Sequence, residues 1–323
     1  MPLTSTEPTH EYDHDVVIVG GGPTGCSAGV FCARDGLDTV IFDRGRSSIQ
    51  RCAHLENYLG FPAGIDIETF YDLLHDHAEA AGCELVPDLV ESVERTDEAG
   101  FHVTTRESDP VTARRVVAAT RYDGEYMRGL DDDAAMFETH EHDGEEHEHF
   151  TKDYADHDGT TPVERLYVVT PSDEDDQAII AAGRGARVAR SVIADAKMDD
   201  GWWAEVAGGV DWVRQESELD DEWADRERWV EWFDDHYGDD APVEPDADRF
   251  ERVREADIDD TFSSYISSGE ADRREATGQE ALAAHLDAER IVAAVGAETL
   301  LNHVDDELIR ERAAELDAAE VSE

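Results

Sequence analysis

Residues 15–46 constrain the fold of this chain most, because their pattern of apolar residues and glycines fits one supersecondary unit. The continuous apolar run DVVIV is typical of a strand buried on both faces of a parallel sheet. It leads directly into the turn GGGPTG and then into a segment of small residues that stops near Gly36. A second apolar run, LDTVIF, ends in Asp43. The order of strand, turn, helix and strand predicts a βαβ unit of a parallel sheet.

The glycines of the turn have the spacing GxGxxG, which gives each of them a physical task. Gly20 permits the tight turn, Gly22 lets the backbone approach a pyrophosphate, and Gly25 lets the helix pack closely on the strand. The amides and the positive dipole end of the helix favour an anion at the same place. Asp43 is placed to accept hydrogen bonds from ribose hydroxyls. This pattern predicts a dinucleotide site, but it does not separate FAD from NAD.

Charge is the most extreme property of the composition. Among 323 residues, 80 are acidic and 27 basic, so the formal net charge is −53. Molar salt shortens the Debye length to ~3 Å and screens the resulting self-repulsion. We therefore expect a cytoplasmic protein adapted to the salt-rich interior of an extreme halophile. The charge argues against nucleic acids and anionic membranes as partners, because their phosphates would be repelled. No apolar run approaches the ~20 residues of a membrane span.

Two further segments resemble the flavin-binding half of the thioredoxin reductase family. The first, residues 55–82, begins with LENYLGFP and continues with an amphipathic helical pattern. The second, residues 159–186, contains GTTPVERLYVV and then QAIIAAGRGA, which resemble the segments that close the flavin site in that family. Between them, residues 89–106 read as a hairpin and residues 113–120 as a further strand, a small meander that the family also has.

The resemblance implies FAD as the cofactor and an oxidoreductase as the protein. It assigns the ADP half of the cofactor to the glycine turn and Asp43. It also implies that Asn57, Gln177 and Ala178 lie near the isoalloxazine ring. The predicted fold class is α/β, a three-layer Rossmann-like FAD-binding domain with a β-meander, followed by a helical C-terminal region.

Departures from the family pattern concern the electron path. The family carries an NADPH-binding domain with a CxxC between its two flavin segments, whereas here about thirty residues separate them, without a second GxGxxG or a CxxC. A single βαβ unit already needs ~30 residues. Electrons would therefore come from a diffusing nicotinamide or a protein donor. The family's Gly-Asp is Thr170-Pro171, which removes a carboxylate from the flavin site. The alternative is a non-catalytic flavin- or nucleotide-binding sensor or subunit.

The segment between the two flavin-site matches contains ETHEHDGEEHEHF, with four histidines among glutamates. Imidazoles and carboxylates can bind Zn or Ni, so a metal site is one hypothesis and a solvated acidic loop is the simpler interpretation. The histidines are His140, His142, His147 and His149.

Cys52 follows Arg51, and an arginine neighbour favours the reactive thiolate. A redox thiol is therefore a hypothesis for Cys52, with an ordinary loop thiol as the simpler alternative.

The predicted domain organisation has four parts. Residues 1–14 are a disordered N-terminus, residues 15–130 and 159–198 form the FAD-binding domain, residues 131–158 are an acidic His-rich linker in place of the NADPH domain, and residues 199–323 form an acidic, Trp-rich helical region. In the last part, Leu219, Trp223, Val230, Phe233 and Tyr237 repeat at helical spacing. This stripe must be buried, so we expect a helical cap or a dimerisation module, and a homodimer. The alternative is an aromatic docking surface for a redox partner.

Overall fold

The computed structural model describes residues 12–121, 124–142, 145–172, 177–209, 215–216, 224–239 and 241–320. The chain divides into two compact units, Met1–Ser268 and Gly269–Glu323. None of the described helices is long and apolar enough to cross a membrane.

A seven-stranded mixed sheet is the centre of the first unit. Its strands are β1 (His14–Val19), β2 (Thr39–Phe42), β3 (Glu84–Val86), β4 (Val90–Arg95), β5 (Phe101–Thr105), β6 (Val111–Ala119) and β9 (Leu166–Thr170). The order is β3-β2-β1-β6-β5-β4, and β9 also pairs with β6. The β1, β2, β3, β6 and β9 strands are parallel, whereas β4 and β5 are joined to β6 as an antiparallel meander.

Helices cover one face of the parallel strands. They are α1 (Pro23–Arg34), α2 (Ile67–Ala81) and α4 (Ala178–Asp199). The Asp66 side chain caps the N-terminus of α2 by accepting a hydrogen bond from the backbone amide of Thr69 at 2.9 Å. Residues Val16, Ile18 and Val117 of the sheet are fully buried in the cluster that includes these helices. The predicted Rossmann-like α/β class is confirmed.

On the opposite face, the parallel strands pack against side chains of the meander and against a hairpin within the predicted linker. Residues 131–158 contain α3 (Asp133–Met136) and the strands β7 (Phe137–His142) and β8 (Glu145–Phe150). Phe137, Phe150 and Tyr154 are buried in the same cluster as Val17 and Val19 of β1. The interpretation of this segment as a linker is therefore corrected, because Phe137, Phe150 and Tyr154 anchor it in the core.

The described structure begins within the segment predicted to be a disordered N-terminus. Strand β1 begins at His14, and Tyr12 is only 6% exposed, with its hydroxyl donating a hydrogen bond to the carbonyl of Glu98 at 2.6 Å. Residues 12–14 thus belong to the folded unit, whereas residues 1–11 lie outside the described residues.

Helices follow α4, as predicted for the C-terminal region. In the first unit these are α5 (Ala204–Ala207), α6 (Arg226–Tyr237) and α7 (Asp248–Ser263), with short strands β10 (Gln215–Glu216) and β11 (Tyr265–Ile266). Trp203, Phe233 and Phe250 form the centre of a separate small core. The helical stripe is present from Arg226 onward, while Leu219 and Trp223 lie outside the described residues.

The remaining helices are α8 (Ser268–Ala284), α9 (Ala288–Val295), α10 (Ala297–Leu301) and α11 (Asp306–Glu320). The first three of these helices contain no buried residue. The division at Ser268 differs from the single region predicted for residues 199–323.

Candidate functional site

An open cleft of about 1320 Å³ lies at the carboxyl ends of the parallel strands. This edge of a doubly wound sheet is where ligands bind. The cleft is lined by the glycine turn, the ends of β1, β2, β6 and β9, the loop before α2 and the start of α4. Of the predicted site residues, it brings together Gly20, Gly22, Asp43, Cys52, Gln177 and Ala178.

The glycine turn leaves room that side chains would fill. Gly20 has φ +114°, and a Cβ atom there would lie 2.6 Å from the carbonyl oxygen of Ala119. Gly22 is the N-cap of α1 without a side-chain cap, so its side of the first helical turn is open to a ligand. A Cβ at Gly25 would lie 1.8 Å from the carbonyl oxygen of Gly20, which explains its role in packing. Gly25 supports the turn but does not line the cleft.

Asn57 also lies outside the cleft lining, on an exposed loop before α2. Its Nδ2 donates a hydrogen bond to Oε1 of Gln177 at 2.5 Å. Gln177 immediately precedes α4 and lines the cleft. Two residues predicted from separate segments are therefore in contact, and one of them lines the cleft.

The carboxylate of Asp43 is buried and held by protein groups. It accepts hydrogen bonds from the Tyr71 hydroxyl and from the amide of Gly45 at 3.0 Å, and Nε2 of His75 lies 3.4 Å away. The same Nε2 lies 3.0 Å from the carbonyl oxygen of Gly21. Asp43 thus couples helix α2 to the glycine turn. Its assignment to the ribose stays a prediction.

The electrostatics of this cluster follow from its contacts. Burial alone would raise the pKa of Asp43, but the hydrogen bonds from His75, Tyr71 and Gly45 outweigh burial and lower it. The hydrogen bond to Asp43 is the main cause that raises the pKa of His75 to about 10. Burial and the Asp43 charge raise the pKa of Tyr71. The cluster therefore holds an ionised carboxylate beside an imidazolium at neutral pH.

Sequence reasoning missed Tyr71 and His75 as site residues. Tyr71 is on the apolar face of α2 and His75 follows it by four residues, so both lie on one side of the helix. That spacing was a signal, but nothing in the sequence indicated that this side of α2 packs against the end of β2.

Basic side chains gather at the cleft although the chain is strongly acidic. Arg44, Arg46, Arg51 and Arg121 line it. Within the described part of the chain, the guanidinium groups of Arg46 and Arg51 have no hydrogen-bond or ion-pair partner. In a chain with 80 acidic residues, two such cations in one cleft indicate an anionic ligand.

Thr170 is a second group whose hydrogen-bonding capacity the protein leaves unused. It is 3% exposed, lines the cleft, and its Oγ1 has no hydrogen-bond partner among the described residues. A buried hydroxyl without a partner is costly, so a ligand hydroxyl or oxygen is a natural partner. Thr170 stands where the family resemblance places a Gly-Asp pair. The substitution removes a carboxylate but keeps a polar group at the site. Asp173 and Asp175, which follow it in the sequence, lie outside the described residues.

The Cys52 thiol and the histidines of the β7–β8 hairpin lie in different parts of the molecule. Cys52 is exposed and lines the cleft, whereas Cys26, Cys32 and Cys83 are buried and no disulfide is formed. The rings of His147 and His149 are 6.4 Å apart on the exposed side of β8. The backbone register pairs His140 with His147, but the side chains of His140 and His142 lie outside the described part of the structure. Among the described residues, no group of three His, Cys, Asp or Glu side chains is arranged to hold a metal.

Together, the sheet order, the glycine turn and the cleft at the strand ends define a dinucleotide-binding α/β domain. The FAD binding domain family matches residues 13–53, which comprise β1, α1, β2 and the loop that follows. This match confirms FAD as the predicted cofactor. The open glycine cradle, the unpartnered Thr170 hydroxyl and the cationic lining fit an FAD molecule with its pyrophosphate.

Curated relatives confirm the resemblance to thioredoxin reductases. A bifunctional thioredoxin reductase/thioredoxin of Mycobacterium leprae is 31% identical over 129 residues, covering 39% of this chain and 28% of that protein. The NADPH-dependent thioredoxin reductase 3 of Arabidopsis thaliana is 34% identical over 116 residues, covering 34% of this chain and 22% of that protein. The chain thus spans less than a third of the length of these relatives.

Among solved structures, a thioredoxin reductase from Gloeobacter violaceus is similar at a TM-score of 0.45 and 18% identity. That similarity covers 58% of this chain and 95% of the other.

Proposed function

We propose that this protein is an FAD-dependent oxidoreductase that exchanges electrons with a donor outside the chain. The observation that carries the proposal is the cleft itself, where an FAD-type glycine turn, two unpartnered guanidinium groups and an unpartnered buried hydroxyl converge. The similarity to thioredoxin reductases supports the reaction class.

Each part of the cleft has a task in this proposal. The amides of the glycine turn and of the start of α1 bind the pyrophosphate, and Arg46 and Arg51 offset its charge. Thr170 hydrogen-bonds the chain that links the two halves of the cofactor. Gln177, held by Asn57, borders the redox-active ring. FAD, when bound, supplies reversible acceptance of a hydride or of single electrons.

The segment between β6 and β9 is the reason for proposing an electron donor outside the chain. Its described residues form the short helix α3, one turn of 3₁₀ helix and the hairpin β7–β8, and the hairpin is anchored in the sheet core. This arrangement supports the proposal that the chain carries no nucleotide domain of its own between the two flavin segments. The donor is then a diffusing nicotinamide or a redox protein. A homodimer in a salt-rich cytoplasm remains our expectation for the whole assembly.

Visible spectroscopy tests the proposal. The purified chain, reconstituted with FAD in molar KCl, is expected to retain flavin absorption after gel filtration. Gly22→Val is expected to abolish this absorption, because a Cβ at Gly22 already lies 2.7 Å from Oγ of Ser47 and branching would fill the cradle. Gly208→Val is the matched control, since the nearest atom to its Cβ is 3.9 Å away and outside the cleft.

Anaerobic reduction then separates the possible donors. Bleaching by NADPH or NADH indicates a diffusing nicotinamide, whereas bleaching by dithionite alone indicates a protein donor or the non-catalytic alternative. A wild-type chain that retains no flavin, or a Gly22→Val variant that retains as much as the wild type, would refute the proposal.

A further inference from the structure

We propose that a second pocket, beside the main cleft, binds a phosphate monoester. This arginine pocket is an open depression lined by Arg44, Arg46, Pro87, Asp88, Leu89, Arg106 and Glu107. Three guanidinium groups from two distant segments of the chain meet in it. A phosphate monoester presents three terminal oxygens, which guanidinium groups bind through paired N–H donors.

Asp88 builds the arginine pocket rather than neutralising it. Its Oδ1 accepts a hydrogen bond from the backbone amide of Leu89 at 2.7 Å. Its Oδ2 accepts hydrogen bonds from the backbone amides of Glu107 and Ser108 at 3.0 and 2.8 Å. Although desolvation would raise the pKa of Asp88, these hydrogen bonds lower it, so the carboxylate stays ionised while backbone donors occupy both oxygens. The contacts join the β3–β4 connection to the β5–β6 loop and bring Arg106 towards Arg44 and Arg46.

The charge of the arginine pocket is reversed relative to the rest of the chain. Its lining has three cationic side chains and two carboxylates, in a molecule with a formal net charge of −53. Arg106 pairs with Glu91 through Nε at 3.0 Å, while Arg46 has no partner among the described residues. Such a local concentration of guanidinium groups attracts an anion.

The position of the arginine pocket suggests where the phosphate comes from. It shares Arg44, Arg46, Asp88 and Leu89 with the main cleft and begins directly after Asp43 at the end of β2. In dinucleotide-binding sheets the adenosine ribose lies at this end, and an arginine there accommodates a phosphate on the ribose. The phosphate is therefore carried on the ribose of a nucleotide in the cleft, or by a separate ligand beside bound FAD. Only this choice of source rests on the proposed function.

Isothermal titration of the full chain tests the inference. Adenosine 2′,5′-bisphosphate and adenosine 5′-monophosphate differ by one phosphate, so the ratio of their Kd values isolates the arginine pocket. In FAD-free wild-type protein, at the lowest KCl concentration that preserves the native circular dichroism, the bisphosphate is expected to bind about tenfold more tightly. Arg46→Gln and Arg106→Gln are each expected to reduce this preference to about threefold or less. Arg290→Gln is the control, because it removes the same charge at a side chain that is 89% exposed in the second unit. This variant should keep the wild-type preference for the bisphosphate.

Titration of the FAD-loaded protein with inorganic phosphate distinguishes the two sources. Binding that Arg106→Gln weakens indicates a separate phosphate ligand, whereas bisphosphate binding confined to FAD-free protein indicates a nucleotide phosphate. Equal Kd values for the two nucleotides, together with no phosphate binding, would overturn the inference. So would a preference that survives in the Arg46→Gln/Arg106→Gln double variant. Flavin retention is measured independently, so a failure here is distinguishable from a failure of the proposed function.

Discussion

Single side chains decide what the cleft can hold, and Thr170 is the clearest example. Its hydroxyl is buried without a protein partner, which is unfavourable unless a ligand supplies one. Asp43 is the opposite case, because protein groups already satisfy its carboxylate. At this scale the structure separates groups that await a ligand from groups that shape the site.

Replacing Thr170 by valine tests the first kind of group. Thr170→Val should weaken FAD binding about threefold to tenfold, because one hydrogen bond contributes about 0.5–1.5 kcal/mol net. The cofactor-free protein should be at least as stable as the wild type. Thr39→Val is the control, since the Thr39 hydroxyl is buried but donates to the carbonyl of Leu37 at 2.9 Å. It should lower stability and leave the Kd for FAD unchanged. The opposite pattern would show that Thr170 is structural.

The Asp43–His75 pair predicts a pH dependence of stability. The pKa of His75 is about 10 in the folded protein, above its ordinary value of 6.5. The stability that the protonated His75 contributes is therefore complete below pH 6.5 and is lost as the pH rises towards 10. The free energy of unfolding by urea at fixed KCl should decrease over this range.

The decrease should be smaller in His75→Gln than in the wild type. His77 on the same helix is the control, because burial and then Arg34 lower its pKa. Its contribution has the opposite sign, so stability rises as the pH increases towards and through 6.5. A wild-type slope that His75→Gln leaves unchanged between pH 6.5 and 10 would contradict the predicted ion pair.

Among the elements, α1 and α4 position the cleft by their close approach. A Cβ at Gly185 of α4 would lie 2.2 Å from the carbonyl oxygen of Thr24 in α1, so only glycine allows this distance. Gly183, one half-turn earlier in the same helix, has no atom within 4 Å of its Cβ position. The two glycines look alike in the sequence but differ in their surroundings.

Alanine substitution at these two positions should have opposite effects. Gly183→Ala should raise the free energy of unfolding by up to about 1 kcal/mol, because alanine is the better helix former. Gly185→Ala should lower it by about 1–3 kcal/mol, because the added methyl group forces α1 and α4 apart. Urea unfolding of both variants measures this, and effects of the same sign would show that helix packing is not the reason for Gly185.

For the whole molecule, the formal charge of −53 dominates the response to solution conditions. Repulsion among carboxylates opposes the compact state at low ionic strength and is screened as the Debye length shortens. The cationic groups of the cleft are an exception to this overall field, so salt has opposite effects on folding and on anion binding.

A KCl titration tests this balance. The thermal midpoint should rise steadily between 0.1 and 3 M KCl, values chosen to take the Debye length from ~10 Å to below ~3 Å. Affinity for adenosine 2′,5′-bisphosphate should fall over the part of the range in which the protein is folded. Sucrose at matched osmolality is the control, and it should not reproduce the rise in the thermal midpoint that KCl causes. A midpoint independent of KCl would contradict charge screening as the source of stability.

The sequence alone determined the βαβ unit and its dinucleotide site, because Gly20, Gly22 and Gly25 act through local backbone geometry that neighbouring residues specify. The tertiary structure decided the rest. Asp43 contacts Tyr71 and His75, which are distant from it in the chain. The burial of Phe150 and of the unpartnered Thr170 hydroxyl also depends on segments that are distant in the chain. Periodicity shows which side of an element is apolar, but not which other element covers it. The hairpin and the arginine pocket therefore have no signature in the sequence, since both depend on how segments far apart in sequence pack together.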